Sequence, residues 1–372
     1  MVIPRLRAVP WCALRADLAL PAIARVLEGA AAEREIDRTL RANRGLSPEE
    51  RTAMVEAIFG VALWRRRLAW HAGSSEPPAL LSALLLELGG VGGGTQEAVP
   101  PRMADRWSLP DWLEEHLESE LGDEADAFCA AISEPGPVCL RANRLLCTRE
   151  ELAERLRREG IETRPGLKAP DALIVSPRDA NLFGSHAWRE GWFEPQDEGS
   201  QLVGQLAEGA EVLDLCAGAG GKSLLLAAKG ARVLAYDLDQ QRLGRLRTRA
   251  RRARANIEVV ERPCPAETVL VDAPCSELGT LRRGPDLRWR IDPDTLRTLP
   301  QLQHQLLEAA APLARKRLVY VTCTLNRAEN ESLANAFEAN HPQLRRIDTM
   351  KLLPHRDGTD GFFAAVWERA LL

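Results

Sequence analysis

Apolar positions along the chain change their spacing as the sequence is read. From about residue 15 to 90 they recur at helical intervals: Ile23, Val26 and Leu27, then Ile36 and Leu40, then Met54, Val55, Ile58, Val61 and Leu63. That spacing lays side chains along one face of a helix, so the region is predicted to be helical. Ser47-Pro48-Glu49-Glu50 marks a helix start, with Ser47 as N-cap, Pro48 at the first position and Glu50 completing a capping box. The run Gly89-Gly90-Val91-Gly92-Gly93-Gly94 and the pair Pro100-Pro101 predict a loop. Residues from about 107 to 200 are mixed: Leu152, Leu156 and Ile161 suggest a helix leading into an extended segment, and Asp171-Ala172-Leu173-Ile174-Val175 a short strand. Beyond about residue 200, short apolar runs alternate with helical stretches. Val212–Leu215, Val233–Tyr236, Ile257–Val260, Val269–Val271 and Leu318–Val321 are candidate buried strands of a doubly wound α/β sheet.

Composition changes this picture little. Hydrophobic residues are 45% and charged residues 27% of 372, an ordinary globular balance with enough length for two or three domains. No run approaches the ~18 apolar residues of a membrane span, and the N-terminus carries no leader pattern. The eight cysteines form no Cys-x-x-Cys pair, which argues against disulfide or zinc frameworks and for a reducing, cytoplasmic setting. No metal is expected. The net charge of −4 argues weakly against a nucleic-acid partner, although local basic surface matters more than the total.

Candidate chemistry collects at strand ends. Asp214-Leu215-Cys216-Ala217-Gly218-Ala219-Gly220-Gly221-Lys222-Ser223 lies between a strand and a helix. Its glycines let the backbone turn tightly and approach a ligand. A Walker loop would need glycine at Cys216, and a dinucleotide fingerprint would need it at Ser223, so neither fits. The next strand ends at Asp237, placed to hold ribose hydroxyls, which points to an adenosine-bearing cofactor. A lone Asp there reads equally well as a surface residue. Cys275, in Asp272-Ala273-Pro274-Cys275-Ser276, and Cys323, in Val321-Thr322-Cys323-Thr324, both fall where strands end on the ligand edge of such a sheet. Isolated cysteines are more often small core hydrophobes, the reading given to Cys12, Cys129, Cys139, Cys147 and Cys264. Cys216 has no partner acid and reads as a structural part of the cofactor loop.

These motifs resemble those of the Sun/Fmu-type RNA (cytosine-5) methyltransferases, particularly the bacterial ribosomal RNA small subunit methyltransferase B group. The resemblance spans nearly the whole chain. Phe193–Gln201 is similar to the family's entry segment, and the glycine loop to its methyl-donor loop. Asp272–Ser276 with Gly279 and Arg283-Gly284-Pro285-Asp286-Leu287-Arg288-Trp289 resembles its most specific motif. Tyr320–Thr324 with Glu329-Asn330-Glu331 resembles the nucleophile motif. Leu353-Pro354-His355 and Asp360-Gly361-Phe362-Phe363 resemble the C-terminal signature. Three departures stand out: Ala219 replaces a usual Pro, Val260-Glu261-Arg262-Pro263 replaces a Gly-Asp pair, and the N-terminal domain is short.

The resemblance implies a NusB-like all-α domain over residues 1–106 and a small α/β RNA-binding subdomain with linker over 107–200. It implies a Rossmann-like class I methyltransferase domain over 201–372. It implies methylation of cytosine C5 in RNA, small-subunit ribosomal RNA ahead of transfer RNA, with S-adenosyl-L-methionine as cofactor and the protein acting as a monomer. Cys216, Ala217, Gly218, Gly220, Gly221, Lys222, Asp237 and Asp272 would bind the cofactor. Cys323 would attack C6, a covalent step that makes C5 nucleophilic. Asp272 would hold the base near N3, Lys222 would orient Asp272, and Cys275 would assist release. The base must be flipped out to reach the pocket. Arg141 and Arg144, with Arg282, Arg283, Arg288 and Arg290, would offer positive surface to RNA, whereas the run Arg242–Arg254 reads as an exposed helix face. Two rivals remain: a DNA-type enzyme using Pro274-Cys275 as its nucleophile motif, and a non-catalytic RNA-binding or ribosome-assembly factor on the same fold.

Overall fold

The structure, a computed structural model, describes residues 4–92, 98–177, 180–284 and 286–370. The readings that fall on Met1–Ile3, Gly93, Gly94 and Pro285 lie outside the described residues. The chain forms two compact units, Met1–Glu134 with Leu281–Asp292, and Pro135–Thr280 with Pro293–Leu372.

The first unit is helical. Its longest helix, Pro48–Ala72, starts as expected: Ser47 Oγ accepts from the Glu50 amide at 3.2 Å and Glu50 Oε2 accepts from the Ser47 amide at 2.7 Å. Met54, Ile58, Val61 and Trp64 bury one face of it. The helices Asp111–Leu121 and Ala125–Ser133 belong to this unit as well, which runs to Glu134. Leu113, Leu117, Phe128 and Ile132 on these helices are buried.

In the segment Leu281–Asp292 the expected basic surface is corrected at Arg288, while Arg283 and Arg290 are exposed. Arg288 is fully buried and donates to the carbonyls of Trp107 at 3.1 Å and Ile132 at 3.2 Å. Both carbonyls lie in the last turns of helices, where no intrahelical donor remains, and the guanidinium fork supplies one. Arg290 donates to Asp286 at 2.9 Å, and Trp289 lies under the Arg65 guanidinium.

The second unit holds two sheets. The smaller comprises β1 (Cys139–Ala142), β2 (Glu162–Pro165), β3 (Ala172–Ser176) and β4 (Phe193–Pro195), in the antiparallel order β2-β3-β1-β4. Arg141 in β1 is 3% exposed and donates to Gln196 Oε1 at 2.6 Å. It is therefore not the RNA-facing side chain expected of it: β1 is a central strand and Arg141 points inward. Arg144, beyond the strand end, keeps 44% of its side chain exposed. Asn143 Nδ2 donates to the carbonyls of Gly191 and Ala253, each at 2.8 Å. The Arg-rich run forms the helix Gln240–Ala253, in which Arg249 and Arg252 turn inward to the buried Glu194 carboxylate of β4.

The larger sheet has β5 (Glu211–Asp214), β6 (Arg232–Ala235), β7 (Ile257–Val259), β8 (Ala266–Asp272), β9 (Ala314–Thr322), β10 (Leu344–Leu352) and β11 (Phe362–Arg369), ordered β10-β11-β9-β8-β5-β6-β7. β5 to β9 run parallel, and β11 pairs antiparallel with both β9 and β10. The parallel strands are the predicted apolar runs; β5, β6, β8 and β9 are largely buried on both faces, while β7 is a half-exposed edge strand. The chain reverses direction across the sheet between β5 and β8. The loops after those two strands therefore open at the switch point where such sheets bind ligands.

Candidate active site

The glycine loop follows β5. Gly218 takes φ of +53° and Gly220 of +87°, left-handed values that favour glycine. A Cβ at Gly218 or Gly221 would meet no protein atom within 4 Å, and both residues line a cavity of about 770 Å³. Gly220 is placed differently. It is off the cavity wall, and a Cβ there would lie 2.7 Å from Leu246, so packing rather than ligand contact explains that glycine. Asp237, past the end of β6, braces the loop: its Oδ2 accepts from the Gly218 amide and its Oδ1 from the Asp239 amide, both at 2.8 Å. Cys216, Ala217, Asp237 and Leu238 share the cavity wall. Glu261 does not; it is exposed, and Pro263 occupies the wall there.

The residues that would bind a cofactor fit an adenosine-bearing group. Asp237 presents a carboxylate for ribose, Gly218 and Gly221 leave room for close approach, and the start of the helix Gly221–Ala228 offers amides to a carboxylate. Asp214, which ends β5, is 1% exposed and accepts from Ser223 Oγ at 2.6 Å. Burial pushes its carboxyl up to about 7, against the pull of the Ser223 hydrogen bond and with help from the Asp272 charge.

The opposite wall comes from the ends of β8 and β9. Lys222, 7% exposed, places Nζ 2.7 Å from Asp272 Oδ2 and 5.5 Å from the Phe362 ring centroid. Burial alone would lower the Lys222 ammonium, but the Asp272 carboxylate outweighs it and the net shift is upward. Asp272 keeps a third of its side chain open to the cavity. The Ala273 amide donates to the Val321 carbonyl at 2.9 Å, and the Gly279 amide to the Cys323 carbonyl at 3.0 Å, so the loop after β8 is strapped to the end of β9. This brings Cys275 Sγ to 3.2 Å from Cys323 Sγ, both in the cavity wall. The Cys275 hydrogen bond, burial and the nearby Glu277 and Asp272 charges push the Cys323 thiol upward, so Cys323 rests protonated.

Cys323, Cys275, Asp272, Lys222, Asp237 and the loop residues Cys216, Ala217, Gly218 and Gly221 thus share one cavity, from which Gly220 is absent. Gln196 and Asp360 also line it without having been singled out, and Glu329, read only as part of a motif, lies directly behind the cysteines. Among the described residues no cluster of side chains could hold a metal ion, and no helix is long and apolar enough to cross a membrane.

Comparison with known proteins bears on this arrangement. Residues 202–368 match the family model described as 16S rRNA methyltransferase RsmB/F, and residues 109–179 match the ferredoxin-like domain of RsmF/B-like methyltransferases. A ribosomal RNA small subunit methyltransferase B of Thermus thermophilus is 34% identical over 351 residues, 87% of this chain and 81% of that one. A probable ribosomal RNA small subunit methyltransferase B of Synechocystis is 33% identical over 305 residues, 72% of this chain and 68% of its own. The crystal structure of PH0851 superposes with a TM-score of 0.70 at 26% identity, covering 91% of this chain and 87% of that chain. NSun6 from Pyrococcus horikoshii, solved with SFG, has a TM-score of 0.62 at 20% identity over 71% of this chain and 99% of that one; it shares the fold.

Proposed function

The chain belongs to the RsmB/F methyltransferase family, and we propose that it methylates C5 of a cytosine in small-subunit ribosomal RNA. The observation that carries this reading is the pair of cysteines, 3.2 Å apart, facing the same cavity as the glycine loop. S-adenosylmethionine, when bound, supplies an electrophilic methyl group. The cytosine must be presented out of its stack to reach the cavity. Asp272, held on one oxygen by Lys222, turns its exposed edge to the base near N3. As the base arrives, the Cys323 proton passes by way of the exposed Asp272 oxygen to N3 of the base and the sulfur adds to C6, so that C5 becomes an enamine carbon, electron-rich toward the methyl donor. After methyl transfer C5 carries one hydrogen too many. Cys275 Sγ takes that proton, the C5–H electron pair restores the C5–C6 double bond, and the bond from C6 to Cys323 Sγ breaks with its pair returning to sulfur. The enzyme is read as a cytoplasmic monomer, working where ribosomal RNA is made and assembled. Arg144, beyond the end of β1, keeps an exposed guanidinium that can meet RNA.

Two variants test the order of events. Cys323→Ser should neither methylate nor form a covalent species, because a hydroxyl is far less ionised than a thiol. Cys275→Ala should attack and methylate but release slowly, leaving a protein–RNA species that survives a denaturing gel. An adduct from Cys323→Ala with none from Cys275→Ala would exchange the two roles, as a DNA-type enzyme would have them. Bisulfite sequencing of small-subunit ribosomal RNA, from cells with and without the gene, tests the target.

A further inference from the structure

Behind the two cysteines lies a polar cluster that the reaction itself does not use. Glu329 is 0% exposed, and among the described residues neither arginine nor lysine bonds to it. Four neutral donors converge on its carboxylate instead. Oε1 accepts from Ser276 Oγ at 2.5 Å and Asn326 Nδ2 at 2.9 Å, and Oε2 accepts from the Ser276 amide at 3.0 Å and Gln303 Nε2 at 2.8 Å. Gln303 Nε2 also donates to the Pro274 carbonyl at 2.9 Å, and Ser276 Oγ lies 2.7 Å from Thr324 Oγ1. A carboxylate without a cation is an expensive group to bury, and packing alone does not call for one. The cluster reaches both cysteines: Pro274 and Ser276 flank Cys275, while Thr324 and Asn326 follow Cys323.

The two cysteines are not held alike. Cys323 directly follows β9, which is paired on both sides, by β8 and β11. The sheet therefore fixes it. Cys275 lies beyond the end of β8 in a loop, and the Glu329 carboxylate grips the residue after it through both backbone and side chain. We propose that Glu329 is a positioning residue for Cys275, holding that thiol over the reacting base so that it can remove the C5 proton, while attack by Cys323 does not depend on it. This rests on the two-cysteine reading above.

Glu329→Gln keeps the shape but replaces one acceptor oxygen with an NH2 group that faces donors it cannot accept. Attack should stay within about threefold of wild type. Release should slow about tenfold, the factor that about 1.4 kcal/mol carries into a rate. The assay mixes enzyme, transcribed small-subunit ribosomal RNA and methyl-labelled S-adenosylmethionine, quenches at intervals and runs a denaturing gel. Label in the protein–RNA band reports attack without release, and label in free RNA reports both. Ser276→Ala, which removes only the hydroxyl bonds, should accumulate adduct in the same direction to a smaller extent, and it decides the matter if Glu329→Gln does not fold. Cys275→Ala runs in parallel. Adduct from Cys275→Ala but from neither other variant would overturn the role of Glu329 and leave the two-cysteine reading standing. No adduct from Cys275→Ala would overturn both. Equal slowing of attack and release would show Glu329 to be merely structural.

Discussion

Asp214 offers a test in which the charge state of a buried group is read from stability. Its Oδ2 accepts from Ser223, its Oδ1 has no hydrogen-bond partner among the described residues, and burial raises its carboxyl from 3.8 to about 7. A carboxyl with a raised folded-state pKa makes the folded protein bind protons more tightly than the unfolded chain. Its contribution is therefore fully present below about pH 4 and is lost as pH rises to about 7. A shift of roughly 3 units at 1.36 kcal/mol each gives about 4 kcal/mol in all. Asp214→Asn keeps an oxygen for Ser223 and cannot ionise. Measured against wild type, it should gain stability as pH rises, by roughly 2–3 kcal/mol between pH 5 and 8. Urea unfolding of both proteins at several pH values checks this, since every other titrating group cancels in the difference. A difference that stays flat with pH, or falls, would refute the protonated, buried state of Asp214. Functionally, a neutral Asp214 keeps a third negative charge away from Asp237 and Asp272.

Asp237→Ala should weaken cofactor binding about 10- to 100-fold, the loss expected for hydrogen bonds to a charged group, and calorimetry with S-adenosylmethionine measures it. Lys222→Met should cost about 3 kcal/mol in unfolding experiments and sharply lower the attack rate, because it leaves Asp272 without its cation. Gly279→Ala should abolish methylation and lower the melting temperature, because its Cβ would collide with the Gly361 carbonyl. Arg141→Glu should lower the melting temperature by burying a carboxylate near Glu194, whereas Arg144→Glu should leave it unchanged and weaken RNA binding in a filter assay.

β5, β6, β8 and β9 were legible because strands buried on both faces read as continuous apolar runs, and the cysteines and Asp237 follow from where such strands end. β10 was not. Leu344–Leu352 is an edge strand, largely exposed between two buried leucines, so its arginines, aspartate and lysine hide any apolar run. Arginine roles were the weakest part of the reading. Arg141 and Arg288 look in sequence like Arg144 and Arg290, and only the fold shows that a buried Gln196 and two helix-end carbonyls claim the first two. Gly220 misled for a related reason: a glycine that makes room for Leu246 has the same letter as one that makes room for a ligand. Glu329 stood in a recognisable motif, but that its partners straddle the two cysteines depends on contacts up to 53 residues apart.

β11 sits between β9 and β10 although it is synthesised after both. A growing chain that has emerged through residue 352 holds β9 and β10 with a gap between them, and the strand that fills it is still inside the ribosome. The loop that carries Cys275 waits too, since the Gly361 amide donates to the Gly279 carbonyl at 2.8 Å. The reacting centre is thus completed by the strand of its sheet that is translated after all the others. Losing residues 360–370 would take away both the strand that joins β9 to β10 and the amide that holds the Cys275 loop, and would disable the site as surely as losing Cys323.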